Sequence, residues 1–327
     1  MATVKYWQAI NAAIHEEMTR DERVCTIGED VGIPGGPFGA TKGVHAAFGG
    51  LRVRDTPISE AAIVGAALGA SMTGLRPIVE VMFLDFMTVA MDQVVNQAAK
   101  ASYMSAGHFK VPMVIRTISA AGRQTGPQHS QNLEAWFAHV PGLKVVWGST
   151  PADTKGLLKS AIRDDNPVIV IESLSLWSTR GEVSEDPDEL VPIGKGIIRS
   201  EGDDITLVTW GGAAIRSELA VQELKGSMGV ELIDLRTISP WDKEIVRQSV
   251  EKTGRLIIVH DAVGAFGAGA EIAATISTEC FNSLRSPIQR VCAPFAPSPF
   301  APHLEDSFLP QPKQIIAAIL ETVRRTR

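Results

Sequence analysis

Asp55-Thr56-Pro57-Ile58-Ser59-Glu60 holds the first residues that could do chemistry. Pro57 stops whatever precedes it, Ser59 can cap a following helix, and Glu60 falls in that helix's first turn. On these residues alone the helix dipole explains a glutamate at that position without any catalytic role. Gln128-His129-Ser130-Gln131 is the second candidate, between a Gly-rich stretch at 120–127 and a helix beginning near Asn132. An imidazole at the mouth of a flexible loop titrates near neutrality and can carry protons, and it can equally be a surface cap. Met82, Phe83, Phe86 and Met87 border the end of a strand, where α/β folds place ligands, although core packing accounts for them too. His15, His45, His108, His139, His260 and His303 have no comparable setting and are read as structural.

The elements that must position these residues alternate short β-branched runs with longer helical stretches, the pattern of an α/β fold with mainly parallel sheets. Strands are predicted at 77–83, 111–118, 144–147, 167–172, 205–210, 231–235, 256–260 and 288–291. Helices are predicted at 60–73, 87–104, 152–163, 213–225 and 243–252. Within 60–73, Gly65, Ala66, Gly69, Ala70 and Thr73 would let a neighbouring backbone approach closely. Ser, Glu, Asp, Pro and Gly crowd into 173–204 and mark a break, which divides the chain into domains at 1–190 and 191–327. The acidic run at 182–189 reads as a solvated linker, with partner docking as the alternative.

With 327 residues, 45% hydrophobic and 21% charged, the chain can bury a core in each of two domains. A net charge of −6 without a Lys/Arg cluster argues against nucleic acid or an anionic membrane as partner. Only Arg324-Arg325-Thr326-Arg327 is locally basic, as at the solvated end of a helix. Cys25, Cys280 and Cys292 lack C-x-x-C spacing, so neither a disulfide framework nor a zinc site is expected. No phosphate loop, G-x-S-x-G elbow or H-E-x-x-H pair occurs. Gly264-Ala265-Phe266-Gly267-Ala268-Gly269 departs from G-x-G-x-x-G and reads as a tight strand-to-helix turn. The interleaved charges of 1–20 do not suit a signal peptide, and nothing approaches a membrane span. The expected location is the cytoplasm, or the mitochondrial matrix if a transit peptide has been removed.

A set of ordered segments spans nearly the whole chain: GED at 28–30, DTPISE at 55–60, GLRPIVEVMFLDF at 74–86, DQVVNQAAK at 92–100, QHSQ at 128–131, PGLKVV at 141–146, AIRDDNPV at 161–168 and IDLRTISPWD at 233–242. In this set the chain resembles the β subunits of the decarboxylating component of 2-oxo acid dehydrogenase complexes, the family that includes pyruvate dehydrogenase. The resemblance implies an α/β thiamine-diphosphate-binding fold: a pyrimidine-binding domain with a mainly parallel sheet, then a transketolase C-terminal-like α/β domain. It further implies that thiamine diphosphate is shared with an α subunit, two α with two β, and that the α subunit holds the diphosphate and Mg²⁺ through a GDG motif. This chain has no GDG; Gly202-Asp203-Asp204 is the nearest string.

By position, Glu60 matches the glutamate that hydrogen-bonds the aminopyrimidine ring nitrogen and so favours the imino tautomer able to remove the thiazolium proton. Phe86 matches the aromatic residue stacked on the pyrimidine, with Ile58 and Met82 nearby. His129 matches the loop histidine that faces the substrate during decarboxylation and acyl transfer. Met113, Ala161, Ile162, Asp164 and Asn166 align with a potassium site of some members, and read equally as a helix end and turn. The implied reaction is oxidative decarboxylation of a short 2-oxo acid, pyruvate first, with acyl transfer to a lipoyl-bearing acyltransferase. Acetoin or branched-chain 2-oxo acids, two-carbon transfer to another acyl carrier, and a non-catalytic assembly subunit are the alternatives. Trp177 in place of Tyr, the loop TRGEVSEDPDE and His260-Asp261 in place of His-Glu depart from the family and bear on acyl specificity and docking.

Overall fold

The structure, a computed structural model, describes residues 1–325. Two compact units form, one from 1–119 and 136–193, the other from 120–135 and 194 onwards. The linear division at 190/191 keeps 120–135, with His129, in its first segment; in the structure this stretch clusters with the second unit. Of the basic tail, Arg324 ends the helix Pro312–Arg324, while Thr326 and Arg327 lie outside the described residues. No helix among the described residues is long and apolar enough to cross a membrane.

In the first unit, six strands lie in the order Lys144–Trp147, Val168–Ser173, Val114–Ser119, Arg76–Phe83, Val24–Gly28, Val53–Asp55, every adjacent pair parallel. Val24–Gly28, Val114–Ser119 and Val168–Ser173 are buried at every residue, which is why they read as continuous apolar runs rather than as alternation. The helices Tyr6–Arg20 and Pro151–Arg163 pack together, with Ala9, Ile10, Ala13, Leu157 and Leu158 fully buried. Basic side chains cross the same seam: Lys159 Nζ lies 3.0 Å from Glu16, and Arg163 pairs with Glu17 at 2.7 Å.

Several expectations change at this level. Ser59 occupies the N-cap of Glu60–Met72, but its side chain makes no capping hydrogen bond. Along that helix only part of the small-residue set meets a neighbour: a Cβ on Gly65 would lie 3.3 Å from Gln93, whereas one on Gly69 would meet nothing within 4 Å. The single helix predicted over 87–104 is three pieces: the 3₁₀ turn Leu84–Thr88, the π-helical Asp92–Ala98 and the α-helix Ala99–Met104. Gln93 lies in the widened segment where Gly65 approaches, so the packing partner selects a geometry that periodicity does not reveal. Nor is the acidic run at 182–189 simply a linker. Arg180–Val183 pairs antiparallel with Ala2–Lys5, and Asp188 faces Arg163.

The second unit is a five-stranded sheet in the order Gln289–Ala293, Leu256–Val263, Ile205–Thr209, Val230–Asp234, Ile197–Ser200, parallel except for the last pair. Ile205, Leu207, Leu232, Ile257 and Val259 form its core with Ile315 and Ile319 of Pro312–Arg324. The turn read into 264–269 has a more specific cause. A Cβ on Gly269 would lie 2.6 Å from His260 Nε2, and one on Gly267 would lie 3.2 Å from His260 Cε1. The glycines make room for a fully buried imidazole. Gly202-Asp203-Asp204 is likewise architectural, because Gly202 abuts the backbone of Gly229 and Val230, and Asp204 Oδ2 accepts from Gly229 N at 2.7 Å.

Candidate functional site

The acidic end of the site grows from the strand Val24–Gly28 and the helix Glu60–Met72. Glu60 is the first residue of that helix and is only 7% exposed. Among the described residues no hydrogen bond or ion pair reaches its carboxylate. Glu29, in the turn after Val24–Gly28, lies within its field. Burial raises the pKa of Glu29, and the carboxylates of Glu60, Asp30 and Glu80 raise it further. Glu60 is thus a mostly buried acid without a partner in its own chain, and its field reaches a second acid that is made reluctant to ionise.

An apolar wall accompanies it. The pairing of Arg76–Phe83 with Val114–Ser119 slips between Val81 and Phe83, so Met82 sits at a bulge, half-buried. Phe86 follows on the 3₁₀ turn, also half-buried, edge-to-face with Phe83 at 5.6 Å and 83°. The edge-to-face series continues from Phe83 to Phe38 at 5.6 Å and from Phe38 to Trp177 at 6.0 Å. Trp177 Nε1 donates to the Phe38 carbonyl at 2.8 Å, which fixes the indole at the end of the series. Ile58 is 81% exposed, an unusual state for an aliphatic side chain next to a buried acid.

Three buried charges fix the strand that carries this wall. Arg116 Nη1 donates to Glu80 at 2.6 Å, and its Nε and Nη2 grip both oxygens of Glu172 at 2.8 and 2.9 Å. Burial works against the guanidinium's charge, but Glu172 and Glu80 outweigh it and hold its pKa above the ordinary value. None of Glu29, Glu80, Arg116 or Glu172 was singled out from the sequence. The available signal was a charged residue inside each of three apolar strands, which is rare unless the charges meet.

His129 belongs to the second unit, so it is described apart from Glu60. It is half-buried, its N–H donates to Gly126 O at 3.3 Å, and its carbonyl accepts from Thr125 Oγ1 at 3.2 Å. The flexible loop expected here is tied down, because Glu305 accepts from the N–H groups of Gly122 and Gln124. Just beyond it, a cavity of about 320 Å³ is lined by Pro127, Gln131, Leu133, Asp261, Phe295 and Phe308. Behind the loop, Glu134 is fully buried with Trp210 Nε1 3.4 Å away, and burial pushes its carboxyl up to about 7. Trp210 stacks on His260 at 4.9 Å, and burial, with Arg290 adding to it, drops that imidazole to about 4.

The residues aligned with a potassium site form a crowded turn. Arg76 Nε donates to Ile162 O at 2.9 Å and Nη2 to Asp164 O at 2.6 Å. The carbonyls of Ala161 and Met113 accept the amides of Asp164 and Val168. Lys144 and Asn166 engage the Asp164 carboxylate. Each carbonyl keeps a second lone pair, so these oxygens suit a monovalent cation only if Arg76 shares them.

Comparison with known proteins agrees with this architecture. The family described as "Transketolase, pyrimidine binding domain" matches residues 2–178, and "Transketolase, C-terminal domain" matches 194–315. An acetoin:2,6-dichlorophenolindophenol oxidoreductase subunit beta from Cupriavidus necator is 45% identical, covering 97% of this chain and 96% of its own length. The 2-oxoisovalerate dehydrogenase subunit beta of Bacillus subtilis is 42% identical over 98% of this chain and 99% of its own. The pyruvate dehydrogenase E1 component subunit beta of Porphyra purpurea is 42% identical over 100% and 99%. Among solved structures, a split-gene transketolase described as an inactive β4 tetramer shares the fold, with a TM-score of 0.82 at 20% identity over 99% of both chains. The Leishmania mexicana transketolase has a TM-score of 0.75 at 17% identity, covering 100% of this chain and 46% of that one. The chain belongs to the transketolase family, among the β subunits of its 2-oxo acid dehydrogenases.

Proposed function

We propose that the chain is the β subunit of a thiamine-diphosphate-dependent 2-oxo acid dehydrogenase, active only when assembled with an α subunit as two α and two β. The observation that carries this reading is Glu60, buried at a helix start with no partner in its own chain and a second carboxyl beside it. A carboxylate that its own chain leaves unengaged is available to a bound partner. The ring nitrogen of an aminopyrimidine, on which Glu60 would hold a proton, is such a partner. Exposed Ile58 and half-buried Met82 and Phe86 suit the faces of the same flat ring. When bound, thiamine diphosphate supplies the carbon nucleophile and electron sink for decarboxylation. His129 presents its imidazole to the 2-oxo acid and supplies or takes up a proton at the substrate oxygen.

Pyruvate is the proposed substrate, with acyl transfer to a lipoyl-bearing acyltransferase. The 45% identity to an acetoin enzyme's β subunit and 42% to a 2-oxoisovalerate dehydrogenase's keep acetoin and branched-chain acids as the second reading. The α chain is assigned the diphosphate and Mg²⁺. A potassium ion sharing the Ile162 and Asp164 carbonyls with Arg76 is a further element, as are domains at 1–190 and 191–327 and a cytoplasmic location. A melting temperature that is the same in KCl and NaCl would remove the potassium ion.

The test is Glu60→Gln reconstituted with the α chain. Thiamine-diphosphate-dependent reduction of an artificial acceptor is measured with pyruvate, branched 2-oxo acids and acetoin in parallel. Turnover should disappear with all three while assembly persists, and unchanged turnover would sink the reading, leaving an assembly role.

A further inference from the structure

The loop that carries His129 is an unusual piece of backbone. Gly122, Gln124 and Gly126 all lie in the left-handed region, at φ of 82°, 59° and 76°. A loop of this kind has no ladder to satisfy its amides. The N–H groups of Gly122 and Gln124 donate instead to the two oxygens of one carboxylate, Glu305, at 2.9 and 2.7 Å. Glu305 is 2% exposed, and among the described residues no basic side chain pairs with it. The two loop amides therefore solvate a buried charge, and the charge fixes the loop, in the stronger, charge-assisted class of hydrogen bond.

The same stretch of chain braces the next residues. A Cβ on Gly126 would lie 3.4 Å from the Phe300 ring, so Phe300 packs directly on the backbone there. Thr125 Oγ1 then bonds Ser130 Oγ at 2.6 Å and the His129 carbonyl at 3.2 Å, closing the segment around His129. All of these contacts lie within the second unit.

We propose that Glu305 is the positioning residue of His129: it holds the 120–130 loop in the one conformation that presents the imidazole to the substrate. This rests on the role given to His129 above. Glu305 itself touches neither substrate nor cofactor.

The experiment uses the full chain assembled with its α partner. Hydrogen exchange of the 120–130 peptide is followed in the native protein, Glu305→Gln and Glu305→Ala, and kcat and KM are measured for each with and without His129→Ala. Glu305→Ala should speed loop exchange about tenfold or more while Ile205–Thr209 and Leu256–Val263 exchange as before. It should also lower kcat about tenfold, with the concentration dependence on thiamine diphosphate unchanged. Glu305→Gln keeps one acceptor oxygen and should fall between; it carries the same test if the alanine variant fails to fold. In the His129→Ala background the Glu305 substitutions should cost nothing further, because the two residues act as one unit. Native exchange in the loop of Glu305→Ala overturns the proposal. So does an equal loss of kcat with and without His129, which would mark a merely structural residue. Native turnover in His129→Ala would instead remove the role of His129, and the exchange measurement tells that failure apart.

Discussion

One cluster of buried charge in each unit makes a contrast. In the first, Arg116 sits between Glu80 and Glu172 on neighbouring strands, and Lys159 and Arg163 meet Glu16 and Glu17 across a helix seam. In the second, Glu134 and His260 are fully buried against neutral partners, Trp210 and Cys292. Paired charges lock geometry at any moderate pH. Unpaired ones respond to pH by giving up their charge, so the Arg116 cluster should behave as a rigid frame, and Glu134 and His260 should carry a pH response of stability.

The largest expected effect breaks the frame. Arg116→Met leaves Glu80 and Glu172 facing each other without a cation and should cost about 3–5 kcal/mol in urea unfolding at neutral pH. A loss below about 1 kcal/mol would mean that the triad does not hold the strands.

Glu134→Gln addresses the other half of the contrast. The folded pKa of about 7 lies above the unfolded value of 4.5, so the protonated acid favours the native state. Its contribution is complete below 4.5 and is lost as pH rises through 7. The amide should therefore stabilise the protein at pH 8 by on the order of 3 kcal/mol and change little at pH 4. His260 runs the other way, with a folded pKa of about 4 against 6.5, so its stability is lost as pH falls from 6.5 through 4. The native protein should show these slopes partly cancelling between 4.5 and 6.5, and Glu134→Gln should leave the acid-side loss alone. Parallel pH profiles for the two proteins would refute the assignment.

Smaller effects sharpen the comparison. Gly269→Ala drives a methyl to 2.6 Å from His260 Nε2 and should cost about 1–3 kcal/mol by thermal melting. Thr150→Ala removes a cap that accepts from Asp153 N at 3.1 Å in the first unit and should cost about 1 kcal/mol, with no change in pH dependence.

Much of this was legible in the sequence wherever a residue's role is local. Lys144–Trp147 has the predicted limits, and the helix beginning at Glu60 starts where Pro57 and Ser59 indicate. What escaped depends on partners distant in sequence. Val24–Gly28 is a five-residue strand, too short to show a period, that is fixed by pairing with Arg76–Phe83 and Val53–Asp55, and Ile197–Ser200 is an antiparallel edge inside a stretch read as a break. Glu60 was visible as a helix-start acid, but its isolation and the influence on Glu29 follow from the fold. Glu305 was invisible, since a Leu-Glu-Asp sequence on a short helix carries no sign that loop amides far upstream will seek its oxygens.

Residues 120–135 leave the first unit, pack with the second, and return. The peptide chain therefore crosses between the units three times, and the order of synthesis acquires a consequence. As the polypeptide leaves the ribosome, Leu133 and Glu134 emerge well before Trp210, Asp261 and Glu305, the residues that cover or bind this stretch. The His129 loop must wait, unpaired, until the last strands and the Glu305 helix have been made. A nascent chain stalled near residue 300 would thus carry a built first sheet and a His129 loop still without its anchor.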